Sequence, residues 1–263
     1  MNNVKYEWYE SLWFIIIMFL LWPFVIPLII GIVMLHKRNA KTAQHNHDQM
    51  MMQAAQKANS IPRQDIIFSS STKLERQQLS DMPEIKFKNI TKSTNLSAMP
   101  AFVVIDTETT GLSASTDRII ELSAIIYEDF KPVKSFSTLV NPGRHIPERA
   151  SAVNNIYDND VATAPPLDYV ADSFTKFIKN LPVVGYNVAF DLKFLYCSGI
   201  DIMDDRKFYD AYALSRKAFK GLDSYSLQNV ASALGIVYNA HRSLDDCYAT
   251  GDVFKAAALT ITR

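Results

Sequence analysis

A five-residue apolar run, Ala101-Phe102-Val103-Val104-Ile105, leads straight into Asp106-Thr107-Glu108, and no other stretch of the 263 residues limits the fold as tightly. Short continuous apolar runs suit a strand buried on both faces. Side chains two apart on a strand share a face, so Asp106 and Glu108 leave its end side by side. Two anions held that close call for a cation. An isolated acid-x-acid at a strand exit is ordinarily a solvated surface pair, but two clusters downstream change that reading.

The first cluster is Gly185-Tyr186-Asn187-Val188-Ala189-Phe190-Asp191-Leu192-Lys193-Phe194-Leu195. Phe190, Phe194 and Leu195 follow helical spacing, and Asp191 falls near the helix start, where an acid also complements the helix dipole. The second is His241-Arg242-Ser243-Leu244-Asp245-Asp246, which opens the last helical stretch. Alone, His241 would read as an exposed loop histidine.

Taken in order, the three clusters resemble the DEDDh family of 3′-to-5′ exonucleases from about Ala101 to the C-terminus. Ile105-Asp106-Thr107-Glu108-Thr109-Thr110-Gly111-Leu112 is similar to the family's first motif over its whole length. The resemblance implies that Asp106, Glu108, Asp191 and Asp246 are metal ligands and that His241, five residues before the last acid, is the general base. Asp106 would bridge two ions, Glu108 and Asp246 would complete one site, and Asp191 would support the other. Asp245 adjoins Asp246 but points elsewhere, because consecutive helical residues differ in direction.

Phosphodiester hydrolysis explains why such residue types are needed. Water must become a nucleophile, and charge building on the phosphoryl oxygens must be neutralised. Two divalent cations about 3.5 to 4 Å apart do both. Carboxylate oxygens suit Mg²⁺ or Mn²⁺. An imidazole with an unperturbed pKa of about 6.5 suits proton removal from water.

The resemblance extends to substrate. Thr109 would meet the terminal 3′-hydroxyl, Leu112 would wedge between the last two bases, and Asn187 would line the same pocket. Their plain structural readings are a turn residue, a core leucine and a helix-start polar group. The chain departs from the family at Tyr186, where many relatives carry histidine, and at Ser243, where alanine is common. It also departs at Asn154, within a segment that commonly reads histidine-glycine-isoleucine and touches the substrate backbone.

Leu12 to Leu35 is a run of 24 residues without a charge, about 36 Å as a helix at about 1.5 Å per residue and long enough to cross a membrane. Trp8, Tyr9 and Trp13 suit an interfacial belt, and Pro23 and Pro27 are tolerable as a kink in lipid. A cleaved signal peptide would have a shorter apolar core and a small-residue cleavage site. Lys5 precedes the run, whereas Lys37, Arg38 and Lys41 follow it, which puts the C-terminal part in the cytoplasm of a single-pass protein of the cell's inner membrane. Cys197 and Cys247 have no zinc-like or CxxC spacing and read as reduced, packed thiols.

The expected organisation is a transmembrane anchor over 1–35, a flexible basic linker over 36–99 and a catalytic domain over 100–263. Residues 36–100 hold ten Lys and Arg against five Asp and Glu, whereas residues 101–263 hold sixteen against twenty. Strands are expected near 101–106, 118–127, 133–140, 183–185 and 207–209, and helices near 167–180, around Asp191, and near 210–219, 224–234 and 244–260. The expected fold class is α/β, a ribonuclease H-like mixed five-stranded sheet flanked by helices and preceded by one transmembrane helix. The expected activity is release of nucleoside 5′-monophosphates from single-stranded DNA or RNA 3′ ends. The alternative is a noncatalytic, membrane-tethered nucleic-acid-binding or scaffold protein, which has no need of five catalytic positions together.

Overall fold

In the computed structural model, which describes residues 73–263, the apolar run becomes the central strand of a sheet. Strand β1 (Ala101–Thr109) pairs antiparallel with β2 (Ile119–Glu128), which pairs antiparallel with β3 (Lys131–Leu139). On its other edge β1 runs parallel to β4 (Val183–Gly185), and β4 runs parallel to β5 (Phe208–Asp210). The sheet is therefore mixed and five-stranded, in the order β3-β2-β1-β4-β5, with helices against both faces, as the ribonuclease H-like expectation required.

Alternation along β1 sorts the core. Val103 and Ile105 face a layer that contains helices α3 (Leu167–Ile178) and α4 (Ala189–Cys197). Phe102 and Val104 face a layer built from α5 (Ala211–Ala218) and α7 (Ser243–Thr262). The helix α6 (Leu227–Ala233) is capped by Ser226, whose hydroxyl accepts from Asn229 N at 3.3 Å. It stops just before Gly235, at φ +71°. Left-handed backbone there suits glycine.

Two short helices, α1 (Glu148–Asn154) and α2 (Asp158–Val161), were not expected. Neither shows enough turns for a periodic pattern to register. Between β2 and β3, Asp129 and Phe130 both adopt positive φ, +48° and +58°, as a two-residue hairpin turn of the I′ kind requires. Glycine or asparagine usually fills such positions. Here Phe130 is held by its ring, 5.5 Å from Phe102 and 6.1 Å from Phe254 between centroids.

Residues 73–99, the C-terminal part of the expected flexible linker, are packed against the domain. Leu74, Met82 and Ile85 lie on one core layer, and Ile90 is fully buried in the other. Lys88 N donates to Phe208 O at 2.8 Å, and Lys217 Nζ donates to Ile90 O at 2.6 Å. The apolar residues are too widely spaced among polar ones to give a local periodic signal. The transmembrane anchor expected over 1–35 lies outside the described residues, and among the described ones no helix is long and apolar enough to cross a membrane.

Helix α7 approaches β2 closely because residue 251 is glycine. A Cβ there would stand 2.2 Å from the Tyr127 ring, whose hydroxyl donates to Tyr248 O at 3.3 Å. Gly251→Ala should therefore overpack the layer and destabilise the fold by about 1–3 kcal/mol in denaturant unfolding. Unchanged stability would mean that α7 shifts freely on the sheet.

Candidate active site

The same alternation decides which acids meet. Asp106 and Glu108 continue the Phe102–Val104 side of β1, toward α7, and Asp246 sits in the first turn of α7. One carboxylate oxygen from each of Asp106, Glu108 and Asp246 lies within 4.8 Å of the others. Asp245 is outside this group. Three acids from a strand end and a helix start thus converge on one small volume.

Asp191 arrives on the opposite face with α4. Its Oδ1 accepts from Thr107 N at 2.9 Å and from Thr107 Oγ1 at 2.7 Å. Thr107 points to that face because it falls between Asp106 and Glu108 on the strand. Asp191 is buried beside Asp106 and, after burial itself, is the largest influence on the Asp106 carboxyl. The fourth acid therefore flanks the three-acid group rather than joining it.

Burial and mutual repulsion leave their mark on all four. Burial, then Asp191, Asp246, Glu108 and Glu121, push Asp106 well above the usual carboxylate range. Burial, then Asp246, Glu121 and Asp191, push Glu108 up to about 8, against a lowering hydrogen bond from Asn154. Burial lifts Asp191 to about 7 despite the Thr107 bonds, and lifts Asp246 to about 7 despite donation from the His241 backbone. Four carboxyls crowded into a buried site, each raised by burial and by its neighbours, are a donor set that fits a hard divalent cation. Asp106, Glu108 and Asp246 would hold one, with Asp191 available from the other side of β1.

His241 stands on the turn before α7 in a left-handed conformation, φ +65°. Its backbone N–H faces Asp246, and its side chain lies on an exposed residue rather than packed among the acids. The turn is anchored by Glu121, which sequence reading passed over as one more residue of a buried strand. Glu121 is 2% exposed and pairs in register with Glu108 across β1 and β2. Its Oε1 accepts from Arg242 Nη2 at 2.8 Å and its Oε2 from Ser243 N at 2.9 Å, so it caps α7. Tyr238 was also missed; its phenol lies beside Asp246, and burial and the neighbouring acids push its pKa far up.

A groove of about 780 Å³ opens beside the acids, lined by Glu108, Leu112, Arg144, Arg149, Asn154 and Phe190 among others. Leu112 projects into solvent, 88% exposed. Thr109 lines the groove too, but its hydroxyl donates to Gly111 O at 2.6 Å and shapes the turn. Asn187 does not line it; its backbone N–H donates to Asp210 Oδ1 at 3.0 Å, with φ +58°.

The three departures from the family each have a local explanation. Asn154 is buried beneath the groove, accepting from Ile156 N at 3.1 Å and donating toward Glu108, while Asn155 takes the left-handed helix end at φ +55°. Ser243 Oγ lies 2.6 Å from Ser123 Oγ, which donates to Ser137 Oγ at 3.0 Å, so the buried hydroxyl is satisfied. Tyr186 has its hydroxyl committed elsewhere, donating to Tyr225 O at 2.6 Å. Both cysteines are free and buried.

The RNase T family model, described as Exonuclease, matches residues 103–254. Among curated proteins, the DNA polymerase III subunit epsilon of Treponema pallidum is 37% identical over 162 residues, covering 59% of this chain and 74% of its own. The epsilon subunit of Aquifex aeolicus is 35% identical over 158 residues, covering 58% of this chain and 78% of its own. The PolC-type polymerase III of Clostridium perfringens is 37% identical over 157 residues, which are 59% of this chain but 11% of that far longer protein. Among solved structures, the zinc-bound E. coli ExoI–ssDNA complex shares the fold at a TM-score of 0.52 and 21% identity, over 60% of this chain and 40% of that one. The sheet, the acids at its edge and these likenesses together establish that the chain belongs to the exonuclease family and is a 3′-to-5′ exonuclease.

Proposed function

We propose that the protein is a membrane-anchored exonuclease that removes nucleoside 5′-monophosphates from single-stranded 3′ ends of DNA or RNA by a two-metal mechanism. The observation that carries this reading is the Asp106–Glu108–Asp246 group, whose ligand atoms lie within 4.8 Å of one another beside an open groove. Asp106, Glu108 and Asp246 would hold an ion on the nucleophile side, and Asp191 would support one on the leaving-group side. Two Mg²⁺ or Mn²⁺ ions bound there would supply hydroxide near neutral pH and neutralise the leaving oxygen. His241 would take the proton from the attacking water at its imidazole; its backbone N–H already faces Asp246, and the exposed ring would have to turn toward the acids. Leu112 parts the last two bases.

Support for a nucleic-acid strand in the groove comes from two of its lining residues. Arg144 and Arg149 line the groove together with Glu108 and Asp117, and offer two guanidinium groups to a phosphate backbone within a domain that is acidic overall. The ExoI neighbour is described in complex with ssDNA, which agrees with a single-stranded substrate. The uncharged run over residues 12–35 supports a membrane anchor, and the basic residues after it support a cytoplasmic catalytic domain.

With Mg²⁺ or Mn²⁺, the full chain should shorten a 5′-labelled single strand from its 3′ end, and Asp106→Ala should abolish shortening. Binding without shortening in either metal would favour the noncatalytic scaffold. His241→Ala should lose about 10²–10⁴-fold in rate while calorimetry finds its metal affinity little changed. Lost metal affinity would remove the base assignment.

The raised carboxyls also set a pH dependence for the metal-free protein. Their folded pKa values, about 7 for Asp191 and Asp246 and about 8 for Glu108, exceed those of an unfolded chain at about 4. The folded state then keeps protons that the unfolded state releases, so the stability these three groups contribute is fully present below about pH 4 and is lost progressively as pH rises from there through about 7 to about 8. Thermal unfolding in chelator should show Tm falling over that window, and Mn²⁺ should restore most of it at the upper end. A Tm that climbs with pH in chelator would contradict the cluster.

A further inference from the structure

Two sides of the groove come from different parts of the chain. One is the loop between β1 and β2, carrying Gly111, Leu112, Ser113, Thr116 and Asp117. The other includes Phe190 in α4, next to Asp191. Residues 74–77 touch both from behind. Leu74 packs on the core layer that contains α4, and Gln77 N donates to Cys197 O at 3.2 Å, at that helix's C-terminal end. Gly199, at φ +87°, admits the segment, since a Cβ there would stand 2.6 Å from Glu75 O. Arg76 reaches in the other direction: its Nη2 donates to Ala114 O at 2.6 Å and to Ser115 O at 2.9 Å.

These are contacts over 38 and 39 residues of chain, and they add to a loop whose own bonds are local, such as Ser113 N to Asp117 Oδ2 at 3.0 Å and Asp117 N to Ser113 O at 2.7 Å. The next two carbonyls are taken by other arginines. Arg118 Nη1 donates to Thr116 O at 2.8 Å and to Asp117 O at 2.9 Å, and Arg144 Nη1 donates to Thr116 O at 2.9 Å. Four successive carbonyls are thus held by guanidinium groups, and two of them depend on Arg76 alone among the described contacts. Charge-assisted donors of this kind are stronger than neutral ones and hold a loop in one conformation.

We propose that residues 74–77 form a brace that fixes the distance between the two groove walls, with Arg76 as the positioning residue that holds the Leu112 loop against α4. The inference rests on the exonuclease reading for its effect on substrate, and on geometry alone for its effect on the loop. Arg76 touches neither the acids nor the groove. Its removal acts on how well the 3′ end is gripped and leaves the chemistry at Asp106 unaltered.

The test uses the full chain as wild type, Arg76→Ala, Arg76→Lys and Gly199→Ala. Steady-state shortening of a 5′-labelled single strand in Mn²⁺ is measured together with amide hydrogen exchange over residues 111–117. Arg76→Ala should raise KM roughly tenfold, a part of what two charge-assisted hydrogen bonds contribute to holding the loop, with kcat within about twofold of wild type. Exchange over 111–117 should quicken, and Arg76→Lys should fall between the two. Gly199→Ala, which displaces the segment with Arg76 intact, should raise KM and quicken the same amides. KM and exchange both unchanged in Arg76→Ala would overturn the brace, as would a loss confined to kcat. Should the wild type fail to shorten the strand, the exonuclease reading falls, and exchange over 111–117 still decides for or against the brace.

Discussion

Four carboxyl groups crowd the end of one buried strand, and everything near them is arranged around that repulsion. Two-residue periodicity sends Asp106 and Glu108 toward α7 and Thr107 toward α4, so acids can be delivered from both sides of the sheet. Asp246 joins the first pair directly. Asp191 meets Thr107, whose amide and hydroxyl hold it beside Asp106 without bringing it into the same group. Neutral donors therefore position the acids, and the charge itself is left for something to be bound.

A fifth carboxylate in the same region has a different fate. Glu121 lies opposite Glu108 in the β1–β2 register, yet its two oxygens are consumed by Arg242 and by the first amide of α7. The strand that pairs with the acid-bearing strand thereby fixes the start of the helix that brings Asp246 and the turn that carries His241. Strand pairing, helix capping and placement of the proposed base are one mechanical unit. The serine contacts at Ser243, Ser123 and Ser137 extend it to β3.

Much of this was legible beforehand, for identifiable reasons. The Asp106–Glu108 spacing and the apolar run before it state the strand, its burial and the shared face without reference to any other segment. The five strands and the longer helices follow from local periodicity. What could not be read depends on partners distant in sequence. The Glu121 cap needs the register between two strands, and the Thr107–Asp191 bond spans 84 residues. Residues 73–99 look like a polar linker because their contacts are scattered single points on a surface assembled from elsewhere, side chains such as Ile90 and Arg76 or lone backbone bonds such as that of Lys88 to Phe208. Asn154 was open to reading as a substrate contact, and only its burial under Glu108 shows its bonds already committed.

The decisive question is whether these acids hold ions together. Anomalous scattering from crystals of the full chain grown with Mn²⁺ answers it. Peaks bounded by Asp106, Glu108 and Asp246, with Asp191 turned toward or bridged to one of them, are the predicted result. Manganese bound elsewhere, or none within reach of these carboxylates at saturating concentration, would contradict the reading of the site.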